Sequence, residues 1–144
     1  MTVTTAQDGK LTASLRRLES GAITDKARLA VRLAALSAAF AEDYDGQFLS
    51  TAAVDAFIDF LESAAPPGYP ELTATPAGDL YAEWHGDNRR RLTIEFLASG
   101  DARYLIFVPN PRHPQRVDKL AGSTTADALG ETIAPLLHLT GLAA

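Results

Sequence analysis

The sequence contains no cysteine, one tryptophan, one methionine and no uninterrupted apolar run long enough to span a membrane. The absence of cysteine excludes a disulfide framework, a thiolate metal site and a cysteine nucleophile. A transmembrane helix needs about 20 consecutive apolar residues, so we expect no membrane partner. These absences favour a protein that folds around its own apolar core.

Basic residues are fewer than acidic ones, since 13 Lys and Arg stand against 18 Asp and Glu for a net charge of -5. A broad basic face for nucleic acid would have to form against this balance. Residues 1–5 lack the basic-then-apolar order of a signal peptide. Arginine outnumbers lysine and alanine is abundant, a composition typical of GC-rich bacteria. We therefore expect a soluble bacterial protein in the cytoplasm, with no cofactor.

The chain has 144 residues, of which 47% are hydrophobic and 22% charged. This length and composition predict a single domain with a substantial core. A proline-rich linker at residues 66–70 separates two layers within it. We expect a helical layer over residues 1–65, and a sheet with a C-terminal helix over residues 66–144.

Three segments in the second half alternate apolar and polar residues, as half-buried strands do: residues 80–85, 91–96 and 102–108. Leu72 and Ala74 form a weaker strand before them. Because the connections are short and carry turn residues, neighbouring strands should run antiparallel. Trp84 should lie near the middle of the buried face. Leu105 and Phe107 make the third segment apolar on both faces, which predicts a strand that is central or covered on both sides.

Helices are predicted at residues 24–42 and 50–64, where apolar residues recur at helical spacing, with caps at Thr24-Asp25 and Ser50. A shorter helix around residues 11–18 precedes them. Residues 109–122 are predicted as a loop, followed by a last helix that Pro135 should kink or split. The fold class is α+β: an antiparallel meander of about four strands covered by the N-terminal helices, with the C-terminal helix at an edge or on the second face.

Tyr81, Glu83 and His85 should project from one face of one strand. A glutamate beside a histidine, with a tyrosine nearby, could support acid–base chemistry or bind a metal. The alternative is a solvated strand face on which Glu83 pairs with Arg91 or Thr93. No HExxH or similar spacing is present, so we assign no catalytic or metal-binding residue.

Two basic segments form a second candidate surface, and their residues are Arg89, Arg90, Arg91, Arg112, His113, Arg116 and Lys119. Together they could form a basic edge that receives phosphate or an acidic partner. The alternative is a charged rim that keeps an edge strand from pairing with other chains. The acidic total favours the rim over nucleic-acid binding.

The stretch from Pro70 to His85 contains a short strand, Thr75-Pro76-Ala77-Gly78, and a strand with Glu83-Trp84 near its end. With the alternating strands and C-terminal helix that follow, it resembles a group of small bacterial proteins of unassigned function that share a T-P-x-G and E-W hairpin signature. The similarity covers residues 66–140. Some members look like partners of toxin-type genes, so the resemblance implies an antitoxin-like or regulatory binding role.

We therefore predict a non-enzymatic protein that binds a protein partner or forms a homo-oligomer. Its binding surface would be an exposed sheet face or edge together with the helical N-terminal half. One alternative is a small-ligand or metal-assisted enzyme that uses the Tyr81, Glu83 and His85 face. A further alternative is nucleic-acid contact through residues 89–91.

Overall fold

The computed structural model describes residues 2–64, 66 and 68–143, with side chains from residue 10 onwards. The described residues form four helices and five strands: α1 (Thr2–Ser20), α2 (Lys26–Asp43), α3 (Thr51–Ser63), β1 (Glu71–Ala74), β2 (Leu80–His85), β3 (Arg91–Phe96), β4 (Asp101–Pro109), β5 (Val117–Thr125) and α4 (Ala126–Thr140). The strands form one antiparallel sheet in sequence order. The predicted α+β meander is confirmed, with one more strand than expected. Pro67 of the predicted linker lies outside the described residues.

The sheet buries one face because its strands alternate as the sequence predicts. In β2, Leu80, Ala82 and Trp84 are fully buried, while the residues between them are partly exposed. The register brings Trp84 opposite Leu92 on β3 and continues across to β4. Apolar side chains from three neighbouring strands therefore form one continuous buried surface.

Four aromatic rings form the centre of the core where α3 crosses this buried surface. The ring of Trp84 lies 5.5 Å from that of Phe60 and 6.3 Å from that of Phe57, between centroids. Phe96 on β3 meets Phe57 edge to face at 5.6 Å. The predicted position of Trp84 under the helices is thus confirmed.

The helices lie on a single side of the sheet. Helix α3 contacts β2 and β3, α2 contacts β1, and α4 contacts β4 and β5 beside α3, whereas α1 packs on α2 and α3. Of the two positions predicted for α4, the second face was wrong, because Leu129, Ile133 and Leu137 join the same core cluster as Trp84. Its contacts with β4 and the edge strand β5 agree with the other predicted position, at an edge. No helix in the described part of the chain is long and apolar enough to cross a membrane.

The cap of α3 agrees with the prediction, whereas the start of α1 and the cap of α2 differ from it. Ser50 caps α3 as expected, since its side chain accepts a hydrogen bond from the backbone of Ala53 at 3.1 Å. Asp25 precedes α2 as expected, but its φ is 58° and its side chain makes no capping hydrogen bond. Helix α1 begins at Thr2 and is longer than the predicted segment.

The predicted loop over residues 109–122 was wrong in its second half, which forms strand β5. This strand is polar, contains Gly122 and pairs only with β4 in the described sheet. Gly122 is opposite Tyr104, whose ring occupies the space that a side chain at residue 122 would need. An edge strand buries few of its side chains, so the alternation that revealed the other strands is absent here.

Of the kink or split predicted at Pro135, the split was wrong. Helix α4 is continuous through Pro135 and begins after Thr125, whose side chain accepts a hydrogen bond from Ala128. Pro135 is exposed, so water can hydrate the helix carbonyl that loses its backbone donor.

Candidate functional site: the open face of the sheet

The side of the sheet opposite the helices is called the open face. It is formed by Glu71, Thr73, Tyr81, Glu83, His85, Arg91, Thr93, Glu95, Asp101, Arg103, Leu105, Phe107, Pro109, Val117, Lys119, Ala121, Ser123 and Thr125. None of these residues belongs to the core cluster that joins the helices to the sheet. Within the described ranges, therefore, no element packs on the open face.

The open face has an apolar strip on its last two strands, formed by Leu105, Phe107, Val117 and Ala121. Leu105 and Phe107 are only half-buried, and Val117 is 42% exposed. Thr93 beside them is only 4% exposed although no helix covers it. The sequence prediction that β4 is central was sound, because β3 and β5 flank it, but its second apolar face is not covered.

The structure places Tyr81, Glu83 and His85 on one face of β2, as predicted. Glu83 is opposite Thr93, and its Oε1 lies 3.2 Å from Nη1 of Arg91 and 3.7 Å from Nε2 of His85. The guanidinium carbon of Arg91 lies 4.5 Å from the ring centroid of Phe107. Glu83 and Arg91 therefore form an ion pair that borders the apolar strip.

Glu71 on β1 joins this group, since it is directly opposite Glu83 in the sheet. Ligand atoms of Glu71, Glu83 and His85 lie within 4.8 Å of one another, a spacing that one divalent cation could bridge. However, Arg91 already neutralises Glu83, and a fixed positive charge beside a ligand carboxylate opposes cation binding. The geometry therefore supports a structural ion pair better than a metal centre.

The cross-strand pair of Glu71 and Glu83 gives a test of this electrostatic reading. Like charges directly opposite in a sheet are destabilising, and opposite charges contribute about 0.2–1 kcal/mol. We expect Glu71→Lys to raise the free energy of unfolding by about 0.2–1 kcal/mol in low salt, measured by urea denaturation. Glu71→Gln should give a smaller gain, and both gains should shrink in 1 M NaCl. A loss of stability in Glu71→Lys would contradict the ion-pair reading.

The three consecutive arginines contact three different parts of the chain. Arg89 donates to the backbone carbonyls of Pro114 and Gln115 in the β4–β5 loop. Arg90 donates from Nε to the carbonyl of Thr140 at 2.8 Å, at the end of α4. Arg91 pairs with Glu83. The triplet thus connects the β2–β3 turn to its neighbours. The two strands that this turn joins are both interior, so an edge strand is adjacent only to the second basic segment, which leads into β5.

The contact between Arg90 and α4 should contribute measurably to stability. A hydrogen bond from a charged donor contributes about 1.5–3 kcal/mol when buried, and a cation at a helix C-terminus adds to it. Because Arg90 is only partly buried, we expect Arg90→Ala to lower the free energy of unfolding by about 1–2 kcal/mol. Urea denaturation measures this. Arg112→Ala, at an exposed position, is the matched control and should change stability by less than about 0.5 kcal/mol.

The second basic segment lies in the β4–β5 loop, where Arg112, His113 and Arg116 are all exposed. Asn110 shapes the loop, because its Oδ1 accepts hydrogen bonds from the backbone of Arg112 at 2.8 Å and of His113 at 3.0 Å. Since Arg89 also binds this loop, the structure brings the two predicted basic segments together at one end of the sheet.

Charge is distributed unevenly across the open face. Glu71 and Glu83 form an acidic border on β1 and β2. On the other side of the face, Arg103 of β4 is opposite Glu95 of β3, whereas Lys119 of β5 is opposite Phe107 of β4. The apolar strip lies on this side of the face, beside these two cations.

A separate cleft of about 270 Å³ lies between the α1–α2 connection and residues 66–70. Asp25 and Tyr69 are the ionisable side chains in its described lining. Because Asp25 is exposed, this cleft offers no enclosed acid–base pair.

Sequence reasoning identified Lys119 as part of the basic edge, but it did not identify Glu71, Arg103 or Phe107 as surface candidates. The alternation of β4 places Phe107 on the second face of the strand, but the same sequence pattern is expected whether that face is covered or exposed. Arg103 carries no local motif, and only strand pairing places it opposite Glu95.

No protein-family model, curated protein or solved structure matches the chain.

Proposed function

We propose that this chain is a non-enzymatic interaction protein that binds a protein partner through the open face of its sheet. The observation that carries the proposal is the apolar strip, where Leu105 and Phe107 are half-buried on a face without a covering element in the described chain. Scattered apolar residues are ordinary on a surface, but an apolar patch with a polar rim is typical of a protein interface.

The other two functions predicted from sequence have weaker support. Arg89, Arg90 and Arg91 all contact neighbouring parts of the chain, so these cations are less available to phosphates. His85 and Glu83 lie on an open surface beside Arg91, whereas a catalytic site is usually a concave pocket.

The setting we propose is a bacterial cytoplasm, and the role is regulatory and of the antitoxin type. A protein of this type acts by covering a surface of its partner. It needs an exposed interface for this, and it does not need a catalytic group. The hairpin signature of residues 70–85 supports this setting, and the open face supplies the interface that it needs.

Affinity capture from an extract of the source organism, with immobilised wild type and Phe107→Glu, tests the proposal. A carboxylate at residue 107 would lie between Arg91 and Lys119 of its own chain, and it would replace the apolar centre of the strip with a charge that a partner would have to desolvate. We expect the wild type to retain a defined protein and Phe107→Glu to retain at least tenfold less.

Leu139→Glu is the matched control, because Leu139 is 82% exposed on α4, a helix on the opposite side of the sheet from the open face. It should retain the same protein as the wild type. Equal retention by Phe107→Glu, with circular dichroism showing that it is folded, would contradict the proposal.

A further inference from the structure

We infer that strand β5 pairs edge to edge with β5 of a second copy of this chain, so that the two sheets become one continuous sheet. The inference goes beyond the proposed function, because the edge of the sheet and its open face are different surfaces. It depends on the backbone groups that β5 leaves unpaired, on the register that two copies can adopt, and on the side chains that this register brings together.

The direction of the backbone groups of β5 follows from two hydrogen bonds at its ends. The backbone N–H of Asn110 donates to the carbonyl of Arg116 at 2.8 Å, and that of Ala126 donates to the carbonyl of Gly100 at 2.9 Å. Both pairs continue the register of β4 and β5, in which hydrogen-bonded and non-hydrogen-bonded pairs alternate. Even-numbered residues of β5 therefore bond to β4, and odd-numbered residues direct their N–H and C=O groups away from the sheet.

These outward groups have no partner within the described chain, since no hydrogen bond occupies those of Lys119, Ala121 or Ser123. The opposite edge of the sheet is protected. Strand β1 has four residues, α2 contacts it, and Nη2 of Arg32 donates to the carbonyl of Leu72 at 2.9 Å. Strand β5 has nine residues that pair with β4 without a bulge, and it contains no proline. A long, regular edge strand is a template for another strand, since an extended backbone matches its alternating donors and acceptors.

One antiparallel register pairs all nine residues of β5 with the same strand of a second copy. A two-fold axis perpendicular to the sheet places Ala121 of the two copies opposite each other, and odd-numbered residues then form the hydrogen-bonded pairs. Lys119 lies opposite Ser123 of the second copy. Asp118 lies opposite Thr124 of the second copy, so no like charges face each other across the interface.

The same register covers an exposed leucine. Leu120 lies opposite the buried Ile106 of β4, yet it is 41% exposed because it is at the edge. In the pair it lies opposite Gly122 of the second copy and diagonally beside the second Leu120. Since the ring of Tyr104 occupies the space over Gly122, each Leu120 packs against Tyr104 of the other copy. The pair therefore removes apolar surface from water at its centre.

The charges at the two ends of β5 are complementary in this register. Arg116 immediately precedes β5, Asp127 lies in the first turn of α4 just after it, and both are exposed. In the part of the chain that the structure describes, neither side chain has an ion-pair partner. The register sets Arg116 of each copy level with residue 126 of the other, beside Asp127, so opposite charges meet at both ends of the interface.

Sedimentation velocity of the full chain over a range of concentrations tests the inference. An interface of one strand pair is small, so we expect a reversible dimer whose population rises with concentration. Ala121→Pro should raise the dissociation constant at least tenfold, because proline lacks the central outward N–H but leaves the bonds of β5 to β4 in place. Ala121→Val keeps this N–H and is the matched control, which should dimerise like the wild type. Near-ultraviolet circular dichroism of Trp84 checks that each variant is folded.

Single cysteines test the register, since the chain has none of its own. Residues opposite each other in a hydrogen-bonded pair have Cα atoms about 5.5 Å apart, which is within reach of a disulfide. Under mild oxidation, Ala121→Cys should cross-link to itself. Lys119→Cys and Ser123→Cys should cross-link to each other when mixed and not when oxidised alone. Self-cross-linking of Lys119→Cys, with none of Ala121→Cys, would overturn the register.

The outcomes separate this inference from the proposed function. A monomeric mass at every concentration would overturn the second-copy inference, whereas capture of another protein that Phe107→Glu abolishes would still support the proposed function. A dimer weakened by Phe107→Glu and not by Ala121→Pro would overturn the edge pairing, because its contact would lie on the open face. A monomer whose capture of another protein is lost in Ala121→Pro would also overturn the inference, since the edge would then bind a strand of a different protein.

Discussion

Replacing Trp84 with alanine is expected to lower the free energy of unfolding by about 3–5 kcal/mol. Trp84 has no exposed surface, and its ring packs against Phe57 and Phe60 of α3. The substitution leaves a cavity between the sheet and α3 that rigid neighbours can only partly fill. Because Trp84 is the single tryptophan, unfolding in urea should be followed by far-ultraviolet circular dichroism rather than by fluorescence.

Trp84→Phe is the matched variant and should cost only about 1–2 kcal/mol. Phenylalanine keeps a ring beside Phe57 and Phe60. It also removes Nε1, which is buried and has no hydrogen-bond partner among the described residues. An unsatisfied buried donor is itself costly, so its removal offsets part of the lost volume. Near-wild-type stability of Trp84→Ala would contradict the central position given to this ring.

The sequence could predict the buried half of the sheet because burial imposes a period of two. Leu80, Ala82 and Trp84 all had to face the helices, so their alternation was visible without coordinates. Strand β5 has no such constraint, because it is an edge strand with few buried side chains. Its pairing with β4 depends on backbone hydrogen bonds, which any residue except proline can donate and accept.

The open face was harder to predict because its chemistry arises from pairing between strands. The sequence correctly grouped Tyr81, Glu83 and His85, which lie on a single strand. It could not place Glu71 opposite Glu83, since that contact depends on the register of β1 against β2. It also could not tell whether Phe107 was covered, because a covered and an uncovered apolar residue have the same local sequence pattern.

The close packing of α3 against α4 leads to the second large effect, at Gly130. A β-carbon built on Gly130 would lie 2.1 Å from Oγ and 2.8 Å from Cβ of Ser63. Both distances are shorter than real contacts allow, so the two helices would have to separate. Alanine favours a helix over glycine by about 1 kcal/mol, but overpacking of a well-filled contact costs about 1–3 kcal/mol. The cost of the clash should exceed the gain in helix propensity. Gly130 is buried, and the new methyl group would meet the β-carbon of Ser63, which cannot rotate away as its hydroxyl group can.

We therefore expect Gly130→Ala to be less stable than wild type by about 1–2 kcal/mol, and a double-mutant cycle with Ser63 tests the cause. Ser63→Gly removes both atoms that the new methyl group meets, so it should restore the stability that Gly130→Ala loses, with a coupling of about 0.5–3 kcal/mol. Ser63→Ala keeps the β-carbon and should restore less. Additive effects of Gly130→Ala and Ser63→Gly in urea denaturation would contradict a direct clash. The loss of stability would then have to arise in the backbone of α4, although alanine has a higher helix propensity than glycine.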